Sequence, residues 1–145
     1  MHKKIAKATN AIKEKIDFNP EVGIILGTGL NDIARIIEDP VIIDYKEIPG
    51  MLVSTAPSHK GRFIAGSIEN KKVIIMQGRL HYYEGYSMKE ITFPVRVMKA
   101  LGIKYLIITN AAGSLNEELR PGKMVIICDH LNLMGDSPLI GENPD

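Results

Sequence analysis

Apolar residues recur at helical spacing in three parts of the chain. Near the N-terminus they stand every three or four positions among lysines, which predicts an amphipathic helix on Ile5, Ala8, Ile12 and Ile16. Apolar positions 30, 33, 36 and 37 predict a second helix. Ser87 and Glu90 form the capping box of a third, which Gly102 ends and which Pro94 should kink.

Short apolar runs between these helices have the length and β-branched content of strands. They cover residues 22–26, 41–45, 62–68, 72–77, 104–109 and 123–128. The turn Glu69-Asn70-Lys71 is so short that 62–68 and 72–77 should form an antiparallel hairpin. Strands that alternate with helices predict an α/β fold with a mixed, largely parallel central sheet flanked by helices. We expect a single domain over residues 1–145.

The composition is that of a globular chain with almost balanced charge. It has 45% hydrophobic residues, and 18 Lys and Arg stand against 17 Asp and Glu. A net charge of +1 gives no field that would gather nucleic acid or a membrane surface. The single cysteine, Cys128, excludes a disulfide framework, and we expect it to be a small buried residue. No apolar run is long enough to span a membrane, so a cytoplasmic location is expected.

The first candidate site is the turn Gly27-Thr28-Gly29 after the first strand. Glycines let the backbone approach a ligand, and the Thr28 hydroxyl and a following helix N-terminus favour an anion. A plain tight turn explains the same three residues equally well. A dinucleotide fingerprint would lack its third glycine, because Asp32 stands there and would repel a pyrophosphate.

The second candidate site is the loop from Gln77 to Tyr86, which is rich in charged and aromatic residues. Arg79 can present a fork of donors to a phosphate, and His81 could donate to the same anion. Glu84 is close enough in sequence to orient His81. The structural alternatives are a surface salt bridge for Arg79, a partly buried ring with a backbone partner for His81 and a core position for Tyr83.

Two further segments contain polar or small residues in connections. His59 lies in a long irregular connection, where a lone histidine usually faces solvent. Asn110-Ala111-Ala112-Gly113 follows the strand 104–109, and its small residues would let backbone N–H groups approach an anion or simply form a tight turn. The four histidines have no metal-ligand spacing, so we expect no metal site.

Together these segments resemble the trimeric type of purine nucleoside phosphorylase. The similarity rests on Ile25-Leu26-Gly27-Thr28-Gly29-Leu30, Ser58-His59-Lys60-Gly61-Arg62, residues 76–86, Thr92-Phe93-Pro94-Val95-Arg96 and Thr109-Asn110-Ala111-Ala112-Gly113. It implies the three-layer phosphorylase fold, of which this chain resembles the N-terminal portion.

The resemblance implies roles for seven residues. Phosphate would be held by Thr28, Arg79, His81 and the backbone of Ala111, with His59 and Tyr83 on the ribose side and Glu84 supporting His81. His81, Glu84 and His59 are thus the implied catalytic residues. Thr28 keeps the hydroxyl that many relatives supply with serine. Pro57-Ser58 replaces the glycine that usually precedes the loop histidine.

The family reaction is reversible phosphorolysis of purine ribonucleosides to a free purine and ribose 1-phosphate, with phosphate as co-substrate and no metal or organic cofactor. The family's purine-binding residues come from its C-terminal half, which has no counterpart here, so we expect little phosphorolysis by this chain alone. We also expect homo-oligomers, through apolar surface left open. Methylthioadenosine phosphorylase and a non-catalytic phosphate-binding or self-associating fragment remain alternatives.

Overall fold

The structure, a computed structural model, describes residues 1–54 and 60–141. Its centre is a five-stranded mixed sheet with the strand order β2-β3-β4-β1-β5. β1 pairs in parallel with β4 and β5, whereas β2-β3 and β3-β4 are antiparallel. The strands are β1 (Val22–Ile25), β2 (Glu38–Asp44), β3 (Arg62–Ile68), β4 (Lys71–Gln77) and β5 (Tyr105–Ile108).

Helices cover one face of the sheet, and a shorter element covers part of the other. α1 (His2–Lys13) and α3 (Phe93–Leu101) pack with β1, β3 and β4 around a core that contains Ile12, Phe63 and Met98. The opposite face packs Ile64 and Ile75 against the 3-10 helix Asn31–Ile36 and Ile37. The predicted mixed α/β architecture is therefore confirmed. No helix in the described ranges is long and apolar enough to cross a membrane.

The capping and turn residues identified in the sequence lie at the ends of helices and in the hairpin turn of the structure. α2 (Met88–Ile91) starts with the Ser87 capping box, whose hydrogen bonds lower the pKa of Glu90. The helix is broken at Thr92, and Pro94 lies in the first turn of α3, where its missing N–H is tolerated. Gly102 ends α3 in the left-handed conformation, at φ 104°. Glu69 and Asn70, both at positive φ, turn the β3-β4 hairpin.

Two predicted elements differ from the structure. The expected helix over residues 30–37 is the 3-10 helix Asn31–Ile36, because Leu30 and Ile36 stay exposed and too little apolar surface is buried to stabilise a longer helix. The predicted strand 123–128 is exposed irregular backbone, since no neighbouring strand pairs with it in the part of the chain described. Cys128 is therefore exposed, and its predicted burial was wrong.

Candidate functional site

The candidate site lies where three parallel strands end side by side. β1 has β4 on one side and β5 on the other, and Ile25 is level with Met76 and Ile108. The carboxyl ends of all three strands therefore meet at one edge of the sheet. Ligands of open α/β sheets bind in the crevice outside this edge. The three loops that the sequence singled out begin here.

Thr109 joins the glycine turn to the end of β5. Its hydroxyl accepts a hydrogen bond from the Gly27 N–H at 2.8 Å and donates to the Ile25 carbonyl at 2.9 Å. A Cβ built on Gly27 would lie 2.5 Å from the Thr109 carbonyl oxygen and 2.8 Å from the Asn110 Cα. Only glycine permits this approach, so the turn and the loop after β5 are held in contact.

Arg79 reaches the same junction from β4. Its Nη1 donates to the Leu26 and Thr109 carbonyls, each at 3.2 Å. A permanent positive charge is thus fixed between the ends of β1 and β5, beside the turn that contains Thr28. A guanidinium fixed beside a glycine turn has the charge and the donor geometry that suit a phosphate.

Tyr45 anchors the start of the loop that carries Arg79. It is buried, packs edge to face on Phe63 at 5.1 Å between ring centroids, and donates its hydroxyl to the Gly78 carbonyl at 2.8 Å. Burial raises the pKa of the Tyr45 hydroxyl, so it stays protonated and able to donate. The preceding Gln77, also buried, accepts a bond from Arg62 Nε at 2.7 Å.

Glu84 holds the same loop at its far end. Its carboxylate accepts a bond from the backbone N–H of His81 at 2.8 Å and from the Ser54 hydroxyl at 2.9 and 3.0 Å. The His81 ring stacks on the Tyr83 ring, 4.9 Å between centroids and 15° from parallel. Tyr83 is 78% exposed, so the core position considered for it is wrong.

The structure brings most of the sequence-predicted residues to one edge, though at different depths. Thr28 and Ala111 are exposed in the loops that follow β1 and β5, and Arg79, His81 and Glu84 are half-buried in the loop that follows β4. His59 lies outside the described residues. No group of three His, Cys, Asp or Glu residues suited to a metal ion occurs within the described ranges.

Sequence reasoning assigned no role to Tyr45, Ser54 or Thr109. Each contacts a loop of the site from another part of the chain, over 30 to 84 residues of sequence separation. The only local signal was the position of Thr109, a hydroxyl directly between a strand and a run of small residues. The other two contacts depend on the tertiary fold.

The architecture is that of an α/β protein in which a fixed guanidinium, Arg79, lies at the carboxyl ends of three parallel strands. The family model of the phosphorylase superfamily matches residues 21–145. The chain belongs to that superfamily.

Within this superfamily, the chain is most clearly similar to purine nucleoside phosphorylases. The chain is 52% identical over 143 residues to purine nucleoside phosphorylase 1 of Bacillus subtilis, covering 99% of this chain and 53% of that protein. It is 42% identical over 132 residues to the Mus musculus purine nucleoside phosphorylase, covering 89% and 46%. The chain thus spans about half the length of the curated relatives it matches.

A solved structure matches nearly the whole chain. It is isoform 2 of the Schistosoma mansoni purine nucleoside phosphorylase in complex with cytosine and ribose-1-phosphate, with TM-score 0.90 and 40% identity. The match covers 98% of this chain and 51% of that one. The predicted phosphorylase fold and the predicted family are therefore confirmed.

Proposed function

We propose that this chain supplies the phosphate and ribose side of a purine nucleoside phosphorylase site. The reaction is reversible phosphorolysis of a purine ribonucleoside, in which a phosphate oxygen bonds to the anomeric carbon as the bond to the purine nitrogen breaks. The products are the free purine and ribose 1-phosphate. The relatives at 52% and 42% identity bear this name, which favours it over methylthioadenosine phosphorylase.

The position of Arg79 carries the proposal. Its guanidinium lies between the ends of β1 and β5 and bonds to Leu26, directly before the glycine turn. A phosphate at that edge would meet a fixed positive charge, the Thr28 hydroxyl and the backbone N–H of Ala111. Charge-assisted hydrogen bonds of this kind contribute about 1.5 to 3 kcal/mol each.

His81 and its neighbours extend the proposed site from phosphate toward ribose. We assign His81 to the phosphate and Tyr83, whose ring stacks on His81, to the face of the ribose. Glu84 supports His81 by bonding its backbone N–H, so it fixes the position of the residue in the loop. His59 is assigned to the ribose side on the family pattern alone.

Catalysis in this proposal is positioning and electrostatics. The phosphate must be held in line with the anomeric carbon while positive charge develops on the sugar, and fixed donors stabilise that arrangement. We propose that no metal or organic cofactor takes part and that inorganic phosphate is the second substrate. We further propose a cytoplasmic location and a homo-oligomeric state.

Phosphate binding tests the proposal without requiring turnover. Titration of the purified chain with inorganic phosphate, followed by amide NMR shifts, should perturb residues 27–29, 79–81 and 110–112. Arg79→Ala should weaken binding at least about tenfold, since one charge-assisted contact contributes that much. Lys104→Ala removes a positive charge at the opposite end of β5 and should leave the affinity unchanged. If both variants lose the same phosphate affinity, the effect comes from the net charge of the chain and not from the position of Arg79.

Turnover tests the identity of the substrate. We expect little hypoxanthine from inosine and phosphate with this chain alone, because proton donation to a leaving group typically supplies 10² to 10⁴-fold and no residue assigned here contacts the purine. A chain that also includes the sequence matching the relatives' second half should phosphorolyse inosine. Preference for methylthioadenosine, or no perturbation of the three loops by phosphate, would refute the proposal.

A further inference from the structure

A buried glutamine lies between two of the segments that the proposed function assigns to phosphate. Gln77 is the last residue of β4, and its side chain is almost completely buried. It directly precedes Gly78 and Arg79, where the loop with the fixed guanidinium begins. Burial of an amide is costly unless its oxygen and its nitrogen both find hydrogen-bond partners. The partners of Gln77 therefore show what this side chain holds together.

Both ends of the Gln77 amide have a partner. Its Oε1 accepts a hydrogen bond from Arg62 Nε at 2.7 Å, and its Nε2 donates to the Asn31 carbonyl at 3.4 Å. Arg62 faces Gln77 across the β3-β4 ladder, so the strand register supplies the first contact. Because a guanidinium can only donate and a carbonyl can only accept, the two partners fix the amide in one orientation.

The contact with Asn31 lies at the end of the glycine turn. The Leu30 N–H bonds to the Gly27 carbonyl at 3.2 Å, so the turn closes directly before Asn31. The Thr109 hydroxyl holds the start of this turn at the Gly27 N–H, and Gln77 holds the residue that follows the turn. Thr28 lies between these two points of attachment, so its position depends on both.

We infer that Gln77 is a positioning residue for phosphate, which couples the turn that carries Thr28 to the loop that carries Arg79. The inference rests on the proposed function, which assigns both segments to one anion. The backbone of Gln77 is fixed in β4 two residues before Arg79, and its side chain reaches Asn31. The 3.4 Å contact is longer than the usual hydrogen bond of about 2.9 to 3.0 Å, so closure of the turn on a phosphate has room to shorten it.

The chain contains no other glutamine, which gives the inference a direct spectroscopic test. Labelling the glutamine side chain with ¹⁵N yields one NH₂ pair in the NMR spectrum of the 145-residue chain. During titration with inorganic phosphate, this pair should shift with the same dissociation constant as the backbone amides of residues 27–29 and 79–81. Sodium chloride at equal ionic strength is the control and should not shift the pair.

Matched variants separate positioning from stability. Gln77→Met has a similar volume but loses both hydrogen bonds, and it should weaken phosphate binding about three- to tenfold, the size of effect that one hydrogen bond supplies. Ile74→Val shortens a buried side chain on the same strand and should lower stability in urea but bind phosphate like the wild type. Should Gln77→Met fail to fold, the labelled amide of the wild type decides alone.

The outcomes separate this inference from the proposed function. If phosphate shifts residues 27–29 and 79–81 but not the Gln77 amide, or if Ile74→Val loses as much phosphate affinity as Gln77→Met, the inference is overturned and the phosphate site stands. If phosphate perturbs none of these residues, both fail. If the Gln77 amide follows phosphate binding, but a chain that includes the relatives' second half phosphorolyses no purine nucleoside, the inference is supported and the proposed function is contradicted.

Discussion

Replacing Thr109 with valine should loosen the junction between the glycine turn and β5. Valine has almost the shape of threonine but no hydroxyl, so the Gly27 N–H would lose its acceptor at 2.8 Å. The Ile25 carbonyl would keep a partner, because it also accepts the Thr109 backbone N–H at 3.0 Å. The cost therefore comes mainly from one buried N–H, which costs about 1 to 3 kcal/mol when unsatisfied. We expect Thr109→Val to lower the free energy of unfolding by about 2 kcal/mol.

The chain contains its own matched control for this substitution. The hydroxyl of Thr9, in α1, is buried and has no hydrogen-bond partner among the described residues. Thr9→Val should therefore stabilise the fold, by about 1 kcal/mol, because it removes an unsatisfied polar group and adds apolar packing. Thr109→Ser keeps the bridging hydroxyl and should lose only a methyl contact.

Urea unfolding monitored by circular dichroism measures all three variants. A loss of about 2 kcal/mol in Thr109→Val corresponds to a fall of about 4 to 8 °C in Tm for a chain of this size. Phosphate titration should show weaker binding by Thr109→Val than by Thr109→Ser, because the turn that carries Thr28 loses its anchor. If Thr109→Val and Thr9→Val shift stability in the same direction, the hydroxyl bridge does not stabilise the site.

Two other substitutions test how the loops are held. Tyr45→Phe leaves the Gly78 carbonyl without its donor and should cost about 1 to 2 kcal/mol. Because burial raises the pKa of Tyr45, the folded state keeps a proton that the unfolded state loses above about pH 10, so wild-type stability should fall as pH rises beyond that value. Alkaline urea titrations should show a smaller fall for Tyr45→Phe, and an equal fall would contradict the assignment. Gly27→Ala places a Cβ 2.5 Å from the Thr109 carbonyl and should cost about 1 to 3 kcal/mol and weaken phosphate binding. Gly113→Ala is the control for stability, because nothing lies within 4 Å of the added Cβ. If both alanine variants lose the same free energy of unfolding, the close contact at Gly27 does not explain the loss.

Spacing, capping and turn signals in the sequence correctly predicted the elements that are stabilised by residues a few positions apart. The α1 pattern, the Ser87 capping box and the β3-β4 hairpin were all correct, because spacing, caps and turn residues act within a few positions. The loops at the strand ends were also identified from sequence, since polar residues after a buried strand indicate a site. Their proximity required only that parallel strands end at one edge.

Elements that depend on a distant partner could not be predicted in this way. Residues 123–128 have a strand composition, but a strand forms only when another backbone supplies its hydrogen bonds. Leu30 and Ile36 belong to a helical pattern, yet nothing among the described residues buries their side chains. Tyr45 and Thr109 looked like ordinary strand-end residues, and their contacts with Gly78 and Gly27 exist only in the tertiary fold.

The order of the strands explains why the candidate site lies beside β1 and not elsewhere on the sheet. The chain leaves β1, builds β2 and β3, and returns through β4 on one side of β1, while β5 lies on the other. Loops that follow strands on both sides of a central strand diverge, and a crevice opens between them. The connection that follows β2 reaches the same edge, because Ser54 bonds to Glu84 there. β3 pairs with β4, and Tyr45 after β2 fixes the start of the Arg79 loop. The Arg79 guanidinium is therefore positioned by both halves of the sheet: Leu26 and Thr109 accept its hydrogen bonds, and Tyr45 holds the start of its loop.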